Sequence, residues 1–239
     1  MDKATVALLL AASFLLLSCS SGGSMGEKSR GIVFFGDSIT RFGAEPGGYV
    51  TLIRDSLLRT SEGRGLEIIG AGKGGNRIRD LLERADRDVL SRKPLIVVIY
   101  IGINDVWNFN RAGRTGTPKK EYESQLKELV GKFTPGAHVI LCTLSVIGEK
   151  PDGSNTLDTL LDEYSEVHRS LARTMEVRLC DLRSAFIGYL KLNNPGMLGQ
   201  GILTKDGVHL NDAGNRLVAD ELLGAIEQEL RTSPATGNE

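Results

Sequence analysis

Five short, predominantly apolar runs recur along the chain: Ile32 to Phe35, Leu66 to Ile69, Leu95 to Ile101, His138 to Leu144 and Val177 to Leu182. They are rich in β-branched residues and punctuated by Gly, Asn, Asp or Ser, as suits strands buried on both faces of a sheet. Helical spacing fills the intervals. Tyr49, Leu52, Ile53 and Leu57 share one helix face, and Tyr122, Leu126, Leu129, Val130 and Phe133 share another. Arg79 to Leu90 is also helical in pattern, a longer helix is expected from about Thr156 to Thr174, and a last one from Asp212 to Leu230 with Asn211 as its N-cap. Parallel strands need crossovers of this length, so the alternation predicts a three-layer α/β/α sandwich around a five-stranded parallel sheet.

Charge removes one class of partner. In 239 residues, 29 basic side chains offset 30 acidic ones, for a formal net charge of −1, so no positive field is available for a phosphate backbone and nucleic acid is not an expected partner. A hydrophobic content of 41% excludes disorder, and the length suits one domain. No His/Cys cluster has metal-ligand spacing, so neither a metal nor another cofactor is expected.

The chain opens differently. Ala4 to Leu17 is almost uninterrupted apolar sequence after Lys3, too short for a comfortable membrane span but of signal-peptide length. Its Leu16-Leu17-Ser18-Cys19 ending resembles a bacterial lipobox, in which the cysteine is acylated; an ordinary signal peptide or an uncleaved anchor are the alternatives. The expected order is a signal peptide (1–18), a Ser/Gly-rich tether anchored to membrane by Cys19 (19–30), a folded domain (31–232) and a disordered tail (233–239), in an exported protein. Cys142 and Cys180 lie inside apolar runs, where a buried free thiol is the simplest state and a disulfide the other one.

In open α/β sheets, ligands bind beyond the carboxyl ends of the strands. Strand one is followed by Gly36-Asp37-Ser38-Ile39-Thr40, strand two by Gly70-Ala71-Gly72-Lys73-Gly74-Gly75-Asn76 and strand three by Gly102-Ile103-Asn104-Asp105; Asp206-Gly207-Val208-His209 precedes the final helix. A serine, a glycine-rich backbone, a carboxamide and an Asp/His pair at one edge are an inventory for acyl transfer. Ser38 needs a base. Of the three histidines, His138 opens a strand and His168 lies within a helix, which leaves His209, with Asp206 to orient its ring. The N–H groups of Ser38 and Gly75 and the Asn104 amide are candidate oxyanion donors.

At these residues the chain resembles the SGNH hydrolases, also called GDSL esterases. All four name-giving blocks occur in family order from residue 31 to about 230, carrying Ser38, Gly75, Asn104 and the Asp206/His209 pair. The second block departs from the family's Asn-x-Gly-x-x-Gly-Asp, with Gly70 in place of the Asn and Asn76 in place of the Asp. The resemblance implies a serine esterase acting on small-molecule or glycan carboxylic esters without a cofactor. Short acyl or O-acetyl groups are the favoured substrates; lysophospholipase or thioesterase action on longer chains is the alternative, and a ligand-binding surface lipoprotein the non-enzymatic one.

Blander readings attach to several residues. Asp37 and Asp105 read as turn residues capping backbone N–H groups, and the same reading stays open for Asp206. Trp107 and Phe109, in a polar loop, either line the cleft or cover it. Lys119, Lys120, Lys127 and Lys132 form a solvated helix face. Gly70, Gly72 and Gly75 fit a dinucleotide fingerprint, but they follow the second strand and helical residues occupy the interval where the answering acidic residue would fall. Around Ser38 only Phe42, Trp107 and Phe109 are large and apolar, which suits a small acyl pocket, although Met197, Leu198, Ile202 and Leu203 could build an apolar wall near His209. Oligomeric state is not legible in the sequence.

Overall fold

The computed structural model describes residues 31–61 and 63–232; the expected leader, the tether with Cys19 and the tail lie outside the described residues. Strands β1 (Gly31–Gly36), β2 (Glu67–Gly72), β3 (Ile96–Tyr100), β4 (His138–Cys142) and β5 (Arg178–Cys180) form one sheet in the order β2-β1-β3-β4-β5, parallel throughout. The α-helices among the described residues are α1 (Ser38–Gly43), α2 (Tyr49–Leu57), α3 (Ile78–Asp88), α4 (Ile103–Trp107), α5 (Lys119–Phe133), α6 (Asp158–Thr174), α7 (Leu182–Asn193) and α8 (Asp212–Thr232). Helices α1, α2, α7 and α8 pack in one layer and α3, α4, α5 and α6 in the other. This is the expected α/β/α sandwich.

Strand periodicity sorts the core between the two layers. Phe34 meets Tyr49 of α2 edge-on at 5.9 Å, and its neighbour Phe35 meets Phe133 of α5 at 6.0 Å, because successive strand side chains point to opposite faces. Burial of β1 and β3 is complete, as their apolar runs require. The edge strand β2 is only partly covered.

Several local expectations change. Strand two does not stop at Ile69: β2 continues through Gly70, Ala71 and Gly72, pairing them with Phe34, Phe35 and Gly36. Strand five ends at Cys180, and Leu182 instead opens α7, whose Leu182, Phe186 and Leu190 recur every fourth residue and are buried. The apolar run Val177 to Leu182 thus spans the end of β5 and the start of α7. Residues Arg41 to Gly43 belong to α1, which begins because the Asp37 side chain accepts the Ile39 N–H at 2.9 Å. Asn211 caps α8 as expected, accepting the Gly214 N–H at 3.0 Å. Cys142 and Cys180 are register partners across β4 and β5, and both thiols are free and buried.

Gly72 ends β2 directly beneath the first turn of α1, where an added Cβ would press on the backbones of Arg41, Thr40 and Asp37. Helix α1 cannot yield without moving off the sheet. Gly72→Ala is therefore expected to cost about 1–3 kcal/mol, read as a lower denaturant midpoint at unchanged slope.

Candidate active site

Ser38 is the first residue of α1, with Asp37 alone between it and the end of β1, which lies between β2 and β3 in the sheet. Its flanking strands β2 and β3 feed helices in the same layer, α3 and α5, whereas β1 feeds α1 and α2 in the other. Connections that part in this way open a crevice at the carboxyl edge. Ser38 Oγ lies 3.0 Å from His209 Nε2, and His209 Nδ1 lies 2.7 Å from Asp206 Oδ2. Asp206 Oδ1 also accepts the N–H groups of Val208 and His209, at 3.1 and 2.8 Å. Burial by itself would raise the Asp206 carboxyl, but the His209 ring and these two N–H groups outweigh it and hold the group below the usual carboxylate range. A hydroxyl, an imidazole and a carboxylate in hydrogen-bonded series can draw the proton from the hydroxyl as it attacks an electrophile.

The expected oxyanion donors collect beside this series. Asn104 is buried in the short helix α4, which also takes in Trp107, expected in a loop; the Asn104 Nδ2 donates to Asn76 O at 3.1 Å and, at 3.4 Å, to Asp37 Oδ2. Gly75 has a φ of +76°, which glycine adopts without the strain a Cβ brings. Arg84 of α3 is 4% exposed. Its Nη2 donates to Gly36 O at 2.7 Å, its Nη1 to Ala71 O at 2.9 Å and its Nε to Asn76 Oδ1 at 2.8 Å, while the guanidinium stacks on Phe35. One side chain thus ties the ends of β1 and β2 to the glycine-rich turn. The replacement of the family's Asp by Asn76 is accommodated by that contact.

Asp37 and Asp105 behave as bracing groups. Asp37 caps α1, and Asp105 accepts the Ile78 N–H at the start of α3 and the Thr117 hydroxyl at 2.6 Å. Both are fully enclosed, and burial pushes each carboxyl up to about 7.

Two aromatic rings flank His209: Phe42 at 5.3 Å and Trp107 at 6.5 Å, both edge-on. Arg41 covers Phe42, and Arg111 covers Trp107. Phe109 does not share this position; it is 46% exposed and its ring lies against Gly116. A cleft of about 340 Å³ opens beside Asp206, lined by Trp107, Asn110, Lys150, Asn155, Gly199 and others. The suggested apolar wall divides, with Leu203 buried in the core and Leu198 turned to solvent. Among the described residues no group of His, Cys, Asp and Glu is arranged to hold a metal ion, and no helix is long and apolar enough to cross a membrane.

Residues 34–217 match the GDSL-like lipase/acylhydrolase family, and the chain belongs to it. An acetylxylan esterase of Geobacillus stearothermophilus is 30% identical over 217 residues, spanning 84% of this chain and 94% of the relative. The crystal structure of the acetyl xylan esterase AlAXEase superposes with a TM-score of 0.79 at 44% identity, over 82% of this chain and 99% of that one. An uncharacterized lipoprotein of Bacillus subtilis (strain 168), YqeF, is 26% identical over 234 residues, spanning 86% and 92% of the two chains. The protein is thus a carboxylic ester hydrolase of the SGNH type.

The enclosed carboxyls set a pH dependence of stability. Asp37 and Asp105 ionise near 3.8 when unfolded but only near 7 when folded, so between these values the folded chain binds more protons and stability falls as pH rises. Asp105→Asn, whose amide can still accept from Ile78 and donate to Thr117, is expected to flatten that fall. Urea midpoints from pH 4 to pH 8 check it, as a difference in slope between variant and parent.

Proposed function

We propose that the protein removes short acyl groups, O-acetyl on carbohydrates above all, through a Ser38–His209–Asp206 triad. Ser38 Oγ forms a bond to the ester carbonyl carbon as its proton passes to His209 Nε2. The imidazolium gives that proton to the leaving alcohol oxygen, and the acyl group remains on Ser38. Water then attacks with His209 again as base, releasing the acid and restoring the hydroxyl. Asp206 holds the tautomer in which Nδ1 carries its proton and stabilises the imidazolium. The N–H groups of Ser38 and Gly75, to which no internal acceptor is assigned among the described residues, receive the negative charge of the tetrahedral intermediate, together with the Asn104 amide once it gives up its long 3.4 Å contact with Asp37 Oδ2.

The observation that carries this reading is the unbroken hydrogen-bonded series from Ser38 through His209 to Asp206, at 3.0 and 2.7 Å. Because the leaving oxygen must meet His209 Nε2, the alcohol belongs on the side of the cleft beside Asp206. Trp107 supplies an apolar surface for a sugar ring there, and Asn110 and Lys150 supply polar groups for its hydroxyls. Phe109 joins them only if a long glycan extends past the cleft. The acetyl preference draws on the acetylxylan esterases among the relatives. Attachment to a membrane through Cys19 draws on the Leu-Leu-Ser-Cys ending and on the relative named as a lipoprotein.

Ser38→Ala is expected to abolish ester hydrolysis with an unchanged circular dichroism spectrum, and full residual activity refutes the nucleophile. Asn104→Ala is expected to lower kcat by about 10²–10³ with a smaller change in KM. Across p-nitrophenyl esters of graded length, kcat/KM is expected to peak at acetyl to butyryl. A long chain gains about 0.8 kcal/mol per buried methylene only where an apolar trough exists, so a maximum at ten carbons or more would turn the reading toward a lipase. Cys19→Ser is expected to yield protein no longer extracted into detergent; mass spectrometry that finds Met1 intact contradicts the anchor.

A further inference from the structure

The loop that carries Asp206 and His209 is closed at its neck. Thr204 and Leu210 form an antiparallel bridge, the Lys205 N–H donates to His209 O at 2.7 Å, and the Asn211 N–H donates to Leu203 O at 3.0 Å. Beneath that neck lies Glu149, contributed by the segment after β4, with none of its surface exposed. Its Oε2 accepts the Ile202 N–H at 2.7 Å; its Oε1 accepts the Leu203 N–H at 2.7 Å, the Thr204 N–H at 2.5 Å and the Thr204 hydroxyl at 2.8 Å. The carboxylate is an acceptor in all four contacts.

Such a group is costly to enclose unless its oxygens are satisfied. Among the described residues no cation pairs with it, so three successive backbone N–H groups and a hydroxyl take that part. Three consecutive N–H groups converge on one anion only if the chain curls into a concave turn. That curl directs the backbone at 204, two residues before Asp206. The contact continues forward, because Thr204 Oγ1 accepts the Gly207 N–H at 3.0 Å. The backbone of the same segment grips the loop at two more points: Gly148 N–H donates to Gly207 O at 2.8 Å and Glu149 N–H to Gly199 O at 3.0 Å.

We propose that Glu149 is a positioning residue for the reaction: its buried carboxylate sets the loop so that His209 Nε2 meets Ser38 Oγ. The proposal rests on the triad reading above. It explains why Asp206, whose side chain is 52% exposed, can still aim His209: the half-solvated Asp–His contact need not supply the rigidity, since the enclosed Glu149 contacts supply it from below.

Glu149→Gln turns one acceptor into a donor facing an N–H, and Thr204→Val removes the hydroxyl that links Glu149 to Gly207. For both variants, kcat and KM with p-nitrophenyl acetate, thermal unfolding, end-point titration by a serine-directed phosphonate and the low-field proton resonance of His209 Nδ1–H are measured. In Glu149→Gln, kcat per titrated site is expected to fall about 10- to 100-fold. KM is expected to stay within about twofold, as ground-state contacts are untouched, while the His209 resonance is lost and unfolding remains cooperative. Thr204→Val is expected to show the same pattern with a smaller fall, and it decides the matter if Glu149→Gln does not fold. Unchanged kcat per titrated site with an unchanged resonance in the folded variants overturns the proposal, as does a loss that only tracks the titratable fraction. His209→Ala is the separate control: activity retained there refutes the triad itself, whatever Glu149 does.

Discussion

The guanidinium of Arg84 is the contact on which the carboxyl edge of the sheet depends. At the carboxyl end of a parallel sheet the ladder stops, and buried carbonyls there keep acceptor capacity for a further donor; Gly36 O already takes the Lys73 N–H at 3.1 Å. Arg84 satisfies Gly36 O and Ala71 O together and spends its Nε on Asn76, whose own carbonyl receives the Asn104 amide. Its charge is balanced by Asp88 at 2.9 Å, and its flat face is used against Phe35. A lysine's three donors radiate from a single nitrogen and form no plane, so it would serve only part of this set. The end of β1, the glycine-rich turn and Asn104 are therefore linked through a single planar fork.

Four acidic residues around the edge differ in what surrounds them and hence in what they can do. Asp37 and Asp105 are enclosed and accept backbone N–H groups at helix starts, so they act as braces whose ionisation is opposed by burial. Glu149 is equally enclosed, but its contacts converge on one loop. Asp206 alone is half open to solvent and bonded to an imidazole. Only the last combination leaves a carboxylate both charged and in contact with a group that can change protonation during a reaction cycle. The reading of Asp37 and Asp105 as structural turn residues agrees with these contacts.

Much of the architecture is legible in the one-dimensional pattern because its causes are local. Apolar runs of strand length, alternating with helical spacing, leave few alternatives to a parallel sheet between helix layers. The glycine-rich turn and the Asn211 cap are likewise short-range chemistry. The pattern misleads where two local signals overlap: Leu182 fits both the end of a strand and the first turn of α7, and the Asp181 side chain, which caps α7 by accepting the Ser184 N–H at 3.2 Å, puts it in the helix. At the site, Ser38, Asn104, Asp206 and His209 were visible as residue types following strands, since the carboxyl edge of such a sheet is where binding groups gather.

The sequence by itself determined the order of elements and the edge at which the candidate site residues gather, both consequences of periodicity and of motifs a few residues long. The tertiary structure decided which side chains support them. Arg84 lies on a charged helix whose polar spacing gives no hint that it faces inward, and Glu149 lies in a Gly-Glu-Lys-Pro stretch that reads as an exposed turn. Phe42 and Trp107 came to flank His209 while Phe109 did not, although all three looked equivalent in the sequence. The reason is that such contacts join residues tens of positions apart, so their partners exist only once the sheet has brought the strand ends together.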